Sequence, residues 1–282
     1  GDAKTQQITS YRDLAEQILI DYKVLTNRSY DASHNISNQM VLTYSTPTSS
    51  TPLDVQEVRS IGFNPQGVAL KQVIVTYSDA AKTQQLGVKE ILNSNIGPSG
   101  NVGVRVITNY SSATFQNGDT TLDSVTYSGP LDRQTITTDL FDNRGNALHE
   151  TVLSEGYVSG VWTFSSMQDI TNTLIDIHDQ TGHSIVKSYN VASIFTGLDD
   201  ITYTQYDKFG NIETENVRSY TDELKTILKE YKEVVNVFAD DVSRKRGNAQ
   251  TSTVSRWLDA TKLDTQWIDK TVMTTTGFDT LG

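Results

Sequence analysis

The sequence predicts a mainly β protein: an array of β-hairpin repeats, a curved sheet or solenoid-like stack, with a few short amphipathic helices between hairpins. Three observations predict it. A turn signature of aromatic, Asp, two free positions, Gly and a polar residue recurs along the chain. An aromatic follows the turn glycine by ten residues in several copies. Thr supplies 37 of the 282 residues, with abundant Ser, Asn, Gln, Tyr and Val, the composition of pleated, half-buried surfaces.

The chain is long enough for one large or two ordinary domains. A net charge of -11 excludes the basic footprint of a nucleic-acid binder, the one basic cluster being Arg244, Lys245 and Arg246. The absence of cysteine removes disulfides, thiolate metal sites and thiol catalysis together. Apolar runs fall short of the ~18 residues that span a bilayer. With its Thr-rich composition, the chain reads as an exported, extracellular or cell-surface protein without direct membrane insertion.

The clearest turns are Phe141-Asp-Asn-Arg-Gly145-Asn146, Tyr206-Asp-Lys-Phe-Gly210-Asn211 and His178-Asp-Gln-Thr-Gly182-His183, with looser copies Phe63-Asn-Pro-Gln-Gly67 and Ile96-Gly-Pro-Ser-Gly100-Asn101. Asp or Asn at the first turn position bonds the backbone two residues on, and Gly at the fourth supplies a positive φ, as in a type I turn closed by a bulge. The structural turn residues so assigned are Asn64, Gly67, Gly100, Asp142, Gly145, Asp179, Gly182, Asp207, Gly210 and Gly247, joined by Asp279 and Gly282. The spacing of ten residues marks Tyr11, Tyr77, Tyr110, Tyr220 and Trp257 as packing residues between units.

With Asn38 placed in a glycine slot and His34 in the aromatic slot before it, turns fall near 1, 38, 67, 100, 145, 182, 210 and 247. That gives a single array over 1–282 of about eight units, with possible halves 1–140 and 141–282. Each unit is too small to bury its own apolar face and gains stability by stacking on neighbours.

Residues 1–31 match 210–240 at a constant offset of 209, with eleven identities that include Ser10/Ser219, Tyr11/Tyr220 and Tyr22/Tyr231. The segment Phe278-Asp279-Thr-Leu-Gly282 reads as the first half of a hairpin and Gly1 to Tyr11 as the second half. The expected partners are therefore copies of itself, or adjacent repeats of one longer chain, joined head to tail.

Helices are expected where apolar residues take the helical period. Leu224, Ile227, Leu228, Tyr231, Val234, Val235 and Phe238 are so spaced, with Thr221 as a cap. The related stretch Leu14 to Leu25 inherits that expectation, and residues 80–93 and 254–268 are further candidates.

At Tyr206-Asp-Lys-Phe-Gly210-Asn211 and Phe141-Asp-Asn-Arg-Gly145-Asn146 the chain resembles the YD-repeat proteins of the Rhs and teneurin group. The resemblance implies hairpins wound into curved sheets or hollow shells on secreted and surface proteins. The spacing here is longer than the family's, and the Asp-Pro-x-Gly-Trp self-cleavage core is absent from the sequence.

Candidate chemistry is sparse. His178 and His183 lie five apart beside Asp176 and Asp179, and are read as substitutions in a turn rather than metal ligands. His149 is placed in a strand. Single turn aspartates are too few for Ca²⁺, which takes 6–8 oxygens. The adjacent pairs Asp199-Asp200 and Asp240-Asp241 diverge on a strand. Nucleophile-elbow, phosphate-loop and His-Glu-x-x-His motifs are missing. The reading is a non-enzymatic structural or adhesive repeat module of a fibre, sheath or surface array, without cofactor or metal. The alternatives are a shell segment of a YD-type toxin or receptor, and a carbohydrate-binding surface protein with Tyr203, Tyr206, Tyr220, Trp162, Trp257 and Trp267 as a strip that stacks on a glycan.

Overall fold

The computed structural model describes residues 2–11, 17–115 and 125–275. Gly1, residues 12–16 and the expected C-terminal half-hairpin with Asp279 and Gly282 lie outside the described residues, whereas the expected N-terminal half is described from Asp2 on and holds β1. Within them the chain is nearly all strand: β1 (Thr5–Tyr11), β2 (Leu19–Tyr30), β3 (Ile36–Tyr44), β4 (Asp54–Phe63), β5 (Ala69–Tyr77), β6 (Gln85–Ile96), β7 (Val102–Phe115), β8 (Val125–Phe141), β9 (Ala147–Val158), β10 (Val161–Ile175), β11 (Thr181–Tyr189), β12 (Phe195–Tyr206), β13 (Ile212–Tyr220), β14 (Leu228–Val237), β15 (Thr251–Trp257) and β16 (Trp267–Thr274). They form one open antiparallel sheet whose strand order is the chain order, so each hairpin leads directly to the next.

Two compact units divide the chain, one built mainly from Gly1–Gln134 with Gly156–Trp162, the other from Thr135–Glu155 with Thr163–Phe278. In the first, Val55, Val73, Val75, Tyr77, Val88 and Ala113 form a buried apolar cluster. The register Val55↔Tyr77, Glu57↔Val75 and Val75↔Val88 puts these side chains on one face. Met40, Leu42, Phe115, Val125 and Tyr127 pack against them. In the second unit the buried apolar residues are Leu198, Val217, Tyr231, Phe238 and Trp257.

The expected amphipathic helices are strands. Leu228–Val237 is β14, Leu19–Tyr30 is β2, Gln85–Ile96 is β6, and 254–268 holds the end of β15, the one 3-10 turn among the described residues, Asp264–Gln266, and the start of β16. Val234, Val235 and Val237 are β-branched and each helix would have stood alone, whereas β13 and β15 offer β14 a full ladder on both sides. Thr221 caps no helix. Asp222 instead accepts bonds from the Thr226 and Ile227 amides, at 3.0 and 2.7 Å, and closes a loop before β14. The one α-helix among the described residues, α1 (Asp241–Arg246), stands between β14 and β15, with the Asp240 side chain accepting from the Ser243 amide and Gly247 as a left-handed cap. Gly247 therefore ends a helix and does not sit in a hairpin turn.

The turn frame also shifts at two places. The turn after β10 runs from Asp176 to Gln180, and Asp179, at φ 62°, fills the slot held elsewhere by glycine. Gly182 lies in β11. The turn after β2 likewise runs from Asp31 to Asn35 with His34 at φ 66°, and Asn38 is a fully buried residue of β3. In this frame His34 precedes Tyr44 by ten residues and Asp179 precedes Tyr189 by ten, so the aromatic spacing extends to two more units. Gly182 has its own reason. Leu174, opposite it, is left-handed at φ 57° with the strand register unshifted, and a Cβ on Gly182 would come 2.8 Å from the Leu174 carbonyl oxygen. Gly103 stands in the same relation to Asn95, at 2.7 Å.

Candidate functional site

The chemistry-bearing side chains gather at the two ends of the strands, and the first group is the row of turns after the even-numbered strands. In each of six turns the amide of the first residue donates to the carbonyl of the fifth, and the fourth amide donates back to the first carbonyl. The six open at Asp31, Asn64, Gly97, Asp142, Asp176 and Asp207, with His34, Gly67, Gly100, Gly145, Asp179 and Gly210 at the positive-φ position. Asp142 Oδ1 accepts from the Arg144 and Asn146 amides at 2.8 and 2.9 Å, and Asp207 Oδ1 does the same with Phe209 and Asn211. Hydrogen bonds from Asn146 hold the Asp142 carboxyl below the usual carboxylate range, and Asn35 does this for Asp31. These contacts favour the ionised form.

Successive turns are tied to one another at a separation of one repeat. Asn146 Nδ2 donates to Asp179 Oδ1 at 2.9 Å, 33 residues on. Asn211 Nδ2 donates to the Arg244 carbonyl at 2.6 Å, and Lys208 Nζ to Asp241 at 2.8 Å, again 33 apart. Arg244 returns the link through Asp207, at 3.2 Å. Just inside the turns, Asn27, Asn93, Asn172 and Asn236 donate to the carbonyls of Ala3, Ala69, Ala147 and Ile212, at 2.8 to 3.2 Å. Each lies four residues before the residue that opens the next connection, Asp31, Gly97, Asp176 or Asp240. At these four connections, about every second repeat, an amide thus satisfies a backbone acceptor of the preceding stretch of chain, which is β5, β9 or β13 in three of them.

At the opposite end three connections share a pattern that sequence reasoning missed: aromatic, one residue, Asp, two residues, Lys. It reads Tyr77 to Lys82, Tyr220 to Lys225 and Trp257 to Lys262. All three lysines are left-handed, with φ of 57°, 59° and 55°. Lys82 Nζ reaches Glu57 on β4 at 2.6 Å, Lys225 reaches Asp200 on β12 at 2.7 Å, and Lys262 pairs with Glu233 on β14. Lys262 also lies 5.4 Å from the Tyr231 ring and 5.5 Å from that of Trp257. The fixed Asp-to-Lys spacing was the available signal, since it repeats the Asp-to-Gly spacing of the other turns.

The densest cluster is at Glu57, fully buried on β4. Besides Lys82 it receives Arg28 through both guanidinium nitrogens, at 2.6 and 2.9 Å, and Arg59 at 2.9 Å. Arg59 in turn stacks over Phe115 at 4.2 Å. Burial pushes the Glu57 carboxyl up, but hydrogen bonds from Arg28, Lys82 and Arg59 outweigh it and leave it below its ordinary value. A carboxylate so enclosed by cations is a structural anchor, with no face open to a substrate.

The aromatic positions take up several packings. Tyr77 is buried in the first unit's cluster. Tyr110 stacks on Tyr127 at 4.4 Å, and Trp257 meets both Tyr231 and Trp267. Tyr220 pairs across to Leu198 and Leu228, while Tyr11 is largely exposed beside Leu19. Two of the histidines, His149 and His183, hold strands. His149 bridges Asp139 at 2.6 Å and Asp169 at 3.4 Å, and the Asp139 hydrogen bond raises its pKa. His183 links Thr173 and Asp200. His178 is the third residue of its turn, not its aromatic. Among the described residues no group of three or more His, Asp or Glu is placed to hold a metal ion.

No family model matches the chain, and no curated protein matches it.

Proposed function

We propose that this chain is a non-enzymatic structural or adhesive repeat module of an extracellular or cell-surface array, with repeats like its own as its partners. One observation carries the reading: polar side chains that would serve a catalytic or binding site are spent on the neighbouring repeat, at the fixed separation of 33 residues seen in Asn146 to Asp179 and Asn211 to Arg244. Such links make each repeat depend on the next, the condition for passing load along a stack. The acidic, Thr-rich composition supports an exposed, soluble exterior. The aromatic-Asp-x-x-Gly turns also support a second reading, a shell segment of the YD-repeat kind, in which the same stacking would serve enclosure.

Single-molecule stretching from both ends tests the load-bearing reading. The expected record is a series of steps of about 115 Å, one repeat of 33 residues at ~3.5 Å each. Extension of the whole chain at negligible force, without steps, would overturn it.

A further inference from the structure

The first and last strands of the sheet order, β1 and β16, are each bonded to one neighbour among the described residues. Both have internal twins that are bonded on two sides. The β1–β2 pair repeats the β13–β14 pair at an offset of 209 throughout: Thr5↔Thr26 matches Thr214↔Val235, Ser10↔Asp21 matches Ser219↔Glu230, and Tyr11↔Leu19 matches Tyr220↔Leu228. The bulge falls at the same place in both, between Ser10 and Tyr11 and between Ser219 and Tyr220.

The β15–β16 pair repeats the β11–β12 pair in the same way. Thr251↔Thr274 matches His183↔Thr202, Ser252↔Met273 matches Ser184↔Ile201, and Trp257↔Trp267 matches Tyr189↔Phe195. Now β12 and β13, the twins of β16 and β1, are paired with each other, with Ile201↔Val217 and Asp200↔Arg218 in register.

We propose that β16 of one molecule pairs antiparallel with β1 of a second copy of this chain, in the register that β12 and β13 already use. The inference rests on the reading above that the partners are repeats like its own, and it names the contact. Transferring the register sets Met273 opposite Ile8, Val272 opposite Thr9 and Lys270 opposite Tyr11. The burial contrast agrees. Val217 is 5% exposed with strands on both sides, whereas its twin Ile8 is 43% exposed and Met273 is 55% exposed. The sequence of β1, Thr-Gln-Gln-Ile-Thr-Ser-Tyr, has neither the charge nor the proline that guards a strand edge from pairing.

The chain lacks cysteine, so the register can be read by cross-linking. Full-length Ile8→Cys mixed with Met273→Cys under mild oxidation is expected to give several-fold more disulfide-linked dimer than Gln6→Cys or Ser10→Cys mixed with Met273→Cys. In sedimentation velocity, Ile8→Lys should weaken self-association of the chain, and mixing it with Met273→Glu should restore association. Both residues are exposed in the single chain, so these changes leave its fold intact. Association that ignores all of them overturns the register while leaving the repeat-array reading in place. A chain that stays monomeric at hundreds of micromolar overturns the second copy as partner, and the stretching record then judges the load-bearing role separately.

Discussion

Glu57 shows what a single residue does in this sheet. It is fully buried and bonded to Arg28, Arg59 and Lys82, so it neutralises cations that β2, β4 and the loop after β5 bring together. Removing its charge leaves those cations facing one another in a dry place, which costs about 3–5 kcal/mol. Glu57→Gln is therefore expected to lower the urea midpoint steeply, and a midpoint within error of the parent would show the cluster to be incidental. The same group gives a pH dependence of defined sign. Its folded pKa lies below the unfolded value, so its contribution is present above the unfolded value and is lost as pH falls through the folded one. The turn carboxyls Asp31, Asp142 and Asp176 are lowered too and act in the same direction. Thermal stability should fall as pH drops below about 4, the range of unperturbed carboxylates, and constant stability down to pH 2 would contradict these assignments.

At the scale of elements, the hairpins are set by where the backbone turns left-handed, and two kinds of glycine serve that. Gly67, Gly145 and Gly210 adopt positive φ in the turns, while Gly103 and Gly182 leave room for the carbonyl of a left-handed residue, Asn95 or Leu174, on the facing strand. A Cβ at Gly103 or Gly182 would meet that oxygen at 2.7 or 2.8 Å, so one of the two strands must move. Gly103→Ala and Gly182→Ala should each cost about 1–3 kcal/mol, as overpacking does. Gly87→Ala, where the added carbon meets open space, should be close to neutral. Thermal melts of the three variants separate the cases, and equal melting would remove the facing carbonyl as the reason for these glycines.

For the whole molecule, a sheet in which every strand bonds its chain neighbour has mostly local connections, and its stability follows the burial of each stretch. Val55, Val73, Val75 and Val88 are almost wholly buried on β4, β5 and β6, whereas β16 exposes Trp267, Val272 and Met273. Hydrogen exchange should accordingly be slowest across Asp54–Ile96 and faster by orders of magnitude in Trp267–Thr274. Uniform protection would mean that the chain opens only as a whole.

The turns after β4, β6, β8 and β12 were legible in the sequence, because Asn64, Asp142 and Asp207 bond their own backbone and Gly67, Gly100, Gly145 and Gly210 supply positive φ, all of it local chemistry. The two turns read out of frame are those where His34 and Asp179 hold the left-handed position without glycine. That conformation can be adopted by a polar residue when the flanking strands impose it, and no residue type announces it. The helical spacing of Leu224 to Phe238 was also present in the sequence. Only the ladders with β13 and β15 decided that the segment is a strand, because a lone helix would have left its neighbours' backbone groups without those bonds. The arms Lys82, Lys225 and Lys262 could be counted in the chain, but the carboxylates they reach lie on strands that pairing alone brings near. Local backbone preference thus set the bends by sequence, while partners distant along the chain were chosen by the sheet.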